Sequence, residues 1–184
     1  MITAFDGGGA GFGDYRVVDI AAPDPYTIVD AASSTRVSAD HVSSCRESLN
    51  RSDPTTCVIY IPQLFAANGS RWLGIEPTCD QLRSEVYAAI TAGAKGVFYF
   101  AYYTHEPLHN GMARNPKRKH WFLPESNLWD AVGRLNAELQ ELSNVILLGE
   151  ECPQIALAGE SRALFRAVEL DDRGYLFLVN PESI

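Results

Sequence analysis

Residues 77–103 read PTCDQLRSEVYAAITAGAKGVFYFAYY, and they contain a helix start, a helix stop and a strand in direct succession. Thr78 and Gln81 have capping-box spacing, in which each side chain satisfies a backbone N–H left free by the first helical turn. Leu82, Val86, Ala89 and Ile90 recur at helical spacing and predict the buried face, and Gly93 predicts the stop. Three residues later GVFYFAYY (96–103) begins an almost continuous apolar run. It is too short to cross a membrane as a helix and suits a parallel strand covered on both faces.

Working outward, the same alternation recurs upstream. Residues 15–22 (YRVVDIAA) predict a strand stopped by Pro23-Asp24-Pro25, and 57–61 (CVIYI) predict another between Pro54 and Pro62. Val37, His41, Val42, Cys45 and Leu49 predict a helix over 38–50 between them. Downstream, Leu128, Val132, Leu135, Leu139, Leu142 and Ile146 predict a helix over 127–148 ended by Gly149, with Trp129 expected in its core. Strand and helix in regular alternation with short connections predict βαβ units on a parallel sheet. After Gly149 the pattern changes to short strands at 154–158, 163–170 and 175–180, the last two joined by Asp171-Asp172-Arg173-Gly174. A boundary near Glu150 is expected, dividing 1–150 from 151–184. The second part is too small to be stable alone.

The motifs of 77–83, then Tyr87-Ala88-Ala89-Ile90, then Gly93-Ala94-Lys95-Gly96-Val97-Phe98-Tyr99-Phe100 resemble one region of barrel glycoside hydrolases, from the seventh helix to the eighth strand. The likeness is nearest to the family 42 β-galactosidases and their relatives. Asp24-Pro25-Tyr26 is similar to the end of an earlier barrel strand. Leu128-Trp129 with Leu135-Asn136-Ala137-Glu138-Leu139 is similar to the final barrel helix, and 174–181 resembles the first strands of the β-domain that often follows. The resemblance implies an α/β fold: a partial TIM (β/α)8 barrel consisting of its last three βα units, followed by short antiparallel strands of a C-terminal, β-sandwich-like domain. Three strands would leave two open parallel edges, so the chain would be either a fragment or a subunit that completes its sheet with a second chain or another copy of itself.

Barrel enzymes carry their chemistry at the carboxyl ends of the strands and in the loops beyond. That rule selects Asp24 and Tyr26 after the first strand, Gln63 and Trp72 after the second, and Tyr102, His105 and Glu106 after the third. Rings that stack on sugar faces and polar groups that meet hydroxyls suit a carbohydrate. Each residue also has a structural reading. Asp24 can shape a turn, Gln63 can bond the neighbouring loop, Trp72 can anchor its loop, and His105-Glu106 can be an exposed pair. Tyr102 and Tyr103 alternate in direction, so at most one faces a barrel mouth. Glycoside hydrolysis usually needs two carboxyl groups. In the resembled family they stand at the ends of the fourth and seventh strands. The fourth strand is absent, and Gln63 lies near where the seventh-strand glutamate is expected. No catalytic residue is therefore assigned, and the isolated chain is expected to be inactive.

The 184 residues are 46% hydrophobic, an ordinary globular composition, with a formal net charge of −8 that disfavours nucleic acid. The basic run 114–120 (RNPKRKH) is most simply a solvated loop. Cys45, Cys57, Cys79 and Cys152 form no C-x-x-C pair and have no histidine at ligand spacing, so reduced thiols and no metal or cofactor are expected. No signal-peptide pattern and no membrane-length stretch is present, so a soluble chain is expected, with its compartment open. Asn68-Gly69-Ser70 has sequon spacing.

Overall fold

The structure is a computed structural model, and it describes residues 2–6, 19–26, 28, 32–50, 56–64, 67–68, 71–75, 77–100, 127–157 and 161–182. Its strands are β1 (Ile2–Asp6), β2 (Ile20–Asp24), β3 (Cys57–Val58), β4 (Ala67–Asn68), β5 (Arg71–Ile75), β6 (Glu150–Glu151), β7 (Leu164–Leu170) and β8 (Arg173–Val179). Its helices are α1 (Arg36–Asn50), α2 (Cys79–Thr91), α3 (Leu128–Glu141) and α4 (Ser143–Leu148). The chain is thus mixed α/β, with a parallel sheet β1-β2-β3, a separate β4-β5 hairpin and an antiparallel sheet β6-β7-β8. Among the described residues the parallel sheet does not close into a barrel.

The parallel sheet differs from expectation at both ends of its first strands. β1 was not foreseen in the Gly-rich start, yet it pairs in parallel with β2 from Ile2↔Ile20 to Asp6↔Asp24. Strand β2 runs through Pro23 to Asp24 instead of stopping there, while residues 15–18 lie outside the described set. Pro23 has no N–H, but its carbonyl still accepts from Ile61 at 3.0 Å, just as Ala21 accepts from Ile59 at 2.9 Å. The missing donor also explains why the regular β2–β3 ladder ends at Ala21↔Val58. The next rung requires an N–H at position 23.

Pro62 does the same on the other side. Tyr60 donates to Gly96, Phe98 to Tyr60, and Leu64 to Phe100. Isolated parallel bridges Tyr60↔Val97 and Gln63↔Phe100 mark the alignment. Residues 96–100 therefore lie as a fourth parallel member beside 57–64, and 101–103 of the expected strand fall outside the described residues.

Helices α1 and α2 cover one face of this sheet. Val42, Cys45 and Leu49 from α1 and Ala89 from α2 pack on Ala21, Val58 and Tyr60. The capping box on α2 is present in both directions: Gln81 N–H donates to Thr78 Oγ1 at 3.0 Å, and Thr78 N–H donates to Gln81 Oε1 at 3.0 Å. We expect Thr78→Ala to lower stability by about 1 kcal/mol, read as a shifted urea midpoint with unchanged slope. Gly93 ends the helix with φ +100°, and the Arg46 guanidinium occupies the space a Cβ would need. Arg46 also donates to Ala92 O at 2.8 Å and the buried Arg166 to Ile90 O at 3.2 Å, so cations meet the carbonyls freed at the helix end.

A neighbouring part of the buried face of α2 contributes to a second core. Leu82, Val86 and Ile90 meet Leu128, Val132 and Leu135 of α3, Val145 and Ile146 of α4, and Val168 and Phe177 of the antiparallel sheet. This cluster joins residues on both sides of Glu150. The expected long helix over 127–148 is interrupted at Leu142 (φ −92°, ψ 0°), although its apolar stripe continues across the break into α4. Trp129 is exposed, because it lies about 100° around the helix from Leu128 and off that stripe.

The strand expected at 154–158 is not formed over 154–157. Pairing occurs earlier, at Glu150↔Glu169 and Glu151↔Val168, and Cys152 N–H makes the last rung to Ala167 O at 2.9 Å. Pro153, without a donor, then turns the chain. The β7–β8 hairpin is present as expected. Asp171 (φ 52°) and Asp172 (φ 59°) form its two-residue connection, a left-handed conformation that aspartate tolerates through local hydrogen bonding.

Candidate functional site

The carboxyl ends of the parallel strands bring Asp24, Tyr26, Gln63 and Phe100 together. Asp24 is the last residue of β2. Tyr26, two residues on, donates its hydroxyl to Asp24 Oδ2 at 2.6 Å, and its ring stacks on Phe100 with centroids 6.0 Å apart and planes 27° from parallel. A carboxylate and two rings thus meet at one end of the sheet. The two rings can stack against an apolar ligand face, while the Asp24 carboxylate, with Oδ1 buried and Oδ2 holding the Tyr26 hydroxyl, fixes the Tyr26 ring in place.

Gln63 is 0% exposed, and its amide is paired with the main chain of the loop after β2. It accepts from Ile28 N–H at 3.2 Å and donates to Ile28 O at 2.9 Å. The side chain thereby pins the loop that carries Tyr26. A glutamate here would lose the donor to Ile28 O and bury a carboxylate in its place. Gln63→Glu is expected to cost about 1–3 kcal/mol, measured by chemical denaturation, and to confer no glycosidase activity.

Behind Gln63, on the helix-covered side of the sheet, lies a polar cluster with no exposure to solvent. Tyr60 donates its hydroxyl within reach of both Glu85 Oε1 at 2.5 Å and Ser38 Oγ at 2.8 Å. Ser38 comes from α1, Tyr60 from the strand segment after β3, and Glu85 from α2. All three are buried, Glu85 completely. Burial pushes the Glu85 carboxyl up to about 8, while the hydroxyls of Tyr60 and Ser38 and the main chain of Gln63 favour its charge and limit the rise; nearby Asp24 adds to it. The Tyr60 phenol is likewise held well above its ordinary range, first by burial and then by Glu85. Glu85 Oε2 is buried with no hydrogen-bond partner among the described residues. A protonated, neutral Glu85 fits this setting.

Of the residues selected from sequence, Asp24, Tyr26 and Gln63 are brought together. Trp72 lies in β5, away from regular pairing with the parallel sheet, and its side chain is outside the described set. Tyr102, His105 and Glu106 also lie outside the described residues, as does the basic run 114–120. Sequence reading missed Phe100 as a stacking partner and the Ser38–Tyr60–Glu85 cluster altogether. Glu85 did carry a signal: it stands at helical spacing between Leu82 and Ala89, a carboxylate inside the buried stripe.

No group of three or more metal-ligating side chains occurs among the described residues. The four cysteines are free thiols, and no described helix is long and apolar enough to cross a membrane. The fold and site define an α/β chain with polar and aromatic side chains gathered at the carboxyl end of a parallel sheet. No protein family, curated protein or solved structure matches it.

Proposed function

We propose that this chain is the C-terminal part of a glycoside-hydrolase-like (β/α)8 barrel and forms one side of a carbohydrate-binding mouth, without a complete catalytic pair. The observation that carries this reading is the meeting of Asp24, Tyr26 and Phe100 at the carboxyl ends of parallel strands that are flanked by helices on one face. It agrees with the family resemblance of 77–100 and 128–139. Tyr26 and Phe100 supply the apolar surface for a sugar face, and Asp24 positions the Tyr26 ring by accepting its hydroxyl. Gln63 holds the Tyr26 loop. As an amide, Gln63 cannot serve as the carboxylate nucleophile that a retaining mechanism requires.

The reading is tested by titrating the chain with a panel of neutral oligosaccharides, followed by NMR. Saturable shifts at residues 24–28 are expected, weakened at least tenfold by Tyr26→Ala, with no turnover of aryl glycosides. Flat titrations across the panel would remove the carbohydrate reading.

A second reading, a non-catalytic assembly subunit, is favoured by the sheet face opposite α1 and α2. Phe98 is 64% exposed there, and among the described residues β1 and 96–100 are the outer members of the parallel array. A parallel sheet ordinarily has both faces covered. Sedimentation decides this reading: a stable complex dispersed by Phe98→Glu supports it, and a folded monomer sinks it.

A further inference from the structure

We propose that Glu85 is a positioning residue for the Asp24–Tyr26 site, and that its proton is communicated to the Tyr26 loop through Gln63. The inference rests on the reading of Asp24, Tyr26 and Phe100 as the ligand-facing group, and it adds a mode of regulation to that site.

The path consists of contacts already described. Glu85 Oε1 receives the Tyr60 hydroxyl, which also lies against Ser38. The main chain of Gln63 acts on the same carboxyl as a hydrogen-bond donor that favours its charged form. The Gln63 side chain then makes two hydrogen bonds to the Ile28 main chain. Ile28 is two residues beyond Tyr26 and is itself fully buried, so this short loop has one anchor at Gln63 and another where Tyr26 meets Asp24.

Ionising a carboxyl with no exposure in this setting has a defined consequence. The charged form demands more donors than the neutral form, and Glu85 Oε2 has none among the described residues. The Gln63 N–H that already acts on this carboxyl is then drawn toward it more strongly, and that moves the residue whose amide holds Ile28. The titratable groups acting on Glu85 are Tyr60 from the strand after β3 and Asp24 from β2, while α1 presents the Ser38 hydroxyl. Asp24, acting repulsively, links the two ends of the path electrostatically as well. Loss of the Glu85 proton then repositions the site without touching ligand.

The test needs no ligand. In two-dimensional NMR of the full chain between pH 6 and 9.5, the Ile28 amide and the Gln63 side-chain amide should shift together with one midpoint near 8. Carboxyl-carbon spectra should give the same midpoint for Glu85. Glu85→Gln should abolish the shift at Ile28. In Gln63→Ala the Glu85 carboxyl should still titrate while Ile28 no longer follows it. An Ile28 amide that stays still while Glu85 titrates in the unmodified chain overturns the proposal, as does an unchanged Ile28 titration in either variant. If these shifts appear and oligosaccharide titrations are flat, the coupling stands and the carbohydrate assignment falls. If sugars bind, their dissociation constant should change at least threefold across the same midpoint in the unmodified chain and stay level in Glu85→Gln.

Discussion

Between pH 4.5 and about 8 the protein is expected to lose about 5 kcal/mol of stability relative to its Glu85→Gln variant. The sign follows from where the proton resides. Unfolded, Glu85 titrates at its ordinary value of 4.5; folded, burial raises it to about 8. Across that window the folded protein holds a proton that the unfolded chain has released. The contribution is therefore fully present below pH 4.5, is lost as pH rises, and levels off above about 8. Each pH unit inside the window is worth about 1.4 kcal/mol. Because Glu85 is 0% exposed, solvent screening does not reduce the effect. Glutamine is neutral throughout, so subtracting its profile removes the contributions of all other groups. Glu138 acts in the opposite sense: Arg83 donates to it and holds its carboxyl below the ordinary range, so its contribution is lost only as pH falls below 4.5. Urea midpoints at pH 5, 6.5 and 8 provide the measurement. Parallel profiles for the two proteins would show that Glu85 is not buried and protonated.

Tyr60→Ala is expected to cost about 3–5 kcal/mol from lost burial and the cavity left behind, with about 1–3 kcal/mol more from the orphaned Glu85 and Ser38. Tyr60 is fully buried where α1, α2 and the parallel sheet meet, so little can relax into its place. Tyr60→Phe separates the two effects, since it keeps the ring and removes only the hydroxyl. It should show the smaller cost alone, growing as pH approaches 8, because ionised Glu85 depends more on that donor. Equilibrium denaturation of both variants at two pH values checks this. A Tyr60→Ala midpoint close to the original would mean that the residue is not central to the core.

The stretch 77–100 was the most legible part of the chain because its signals are local. A capping box, a run of residues at helical period and a glycine at positive φ each act within a few residues, and α2 forms as they dictate. The β7–β8 hairpin was legible for the same reason. Strand β1 was not, because ITAFD is short and becomes a strand only by pairing with β2, far along the chain. Pro23 and Pro62 were misleading at close range. A missing N–H deletes one rung, but the carbonyls on either side still accept, so the strands continue past it. The strand expected at 154–158 shows the reverse error: its apolar residues suited a strand, while the available ladder partner lay opposite 150–152.

The site divides along the same line. Asp24, Tyr26 and Gln63 could be chosen from sequence, because their place after predicted strands puts them at one end of a parallel sheet. What each contacts depends on long-range packing. Gln63 turns its amide to Ile28 and Tyr26 turns its hydroxyl to Asp24. Phe100 joins them because residues 96–100 align beside Gln63. Glu85, Tyr60 and Ser38 are separated in the chain and become one cluster when two helices close over a strand. Residues 77–93 alone thus carried the helix and its ends, since backbone capping and apolar period are short-range, while the extended segment 96–100 is aligned by its distant partner 60–64. The sheet order, the burial that raises the Glu85 carboxyl and the Gln63 anchor on the Tyr26 loop arise from folding, since they depend on which distant groups exclude water together.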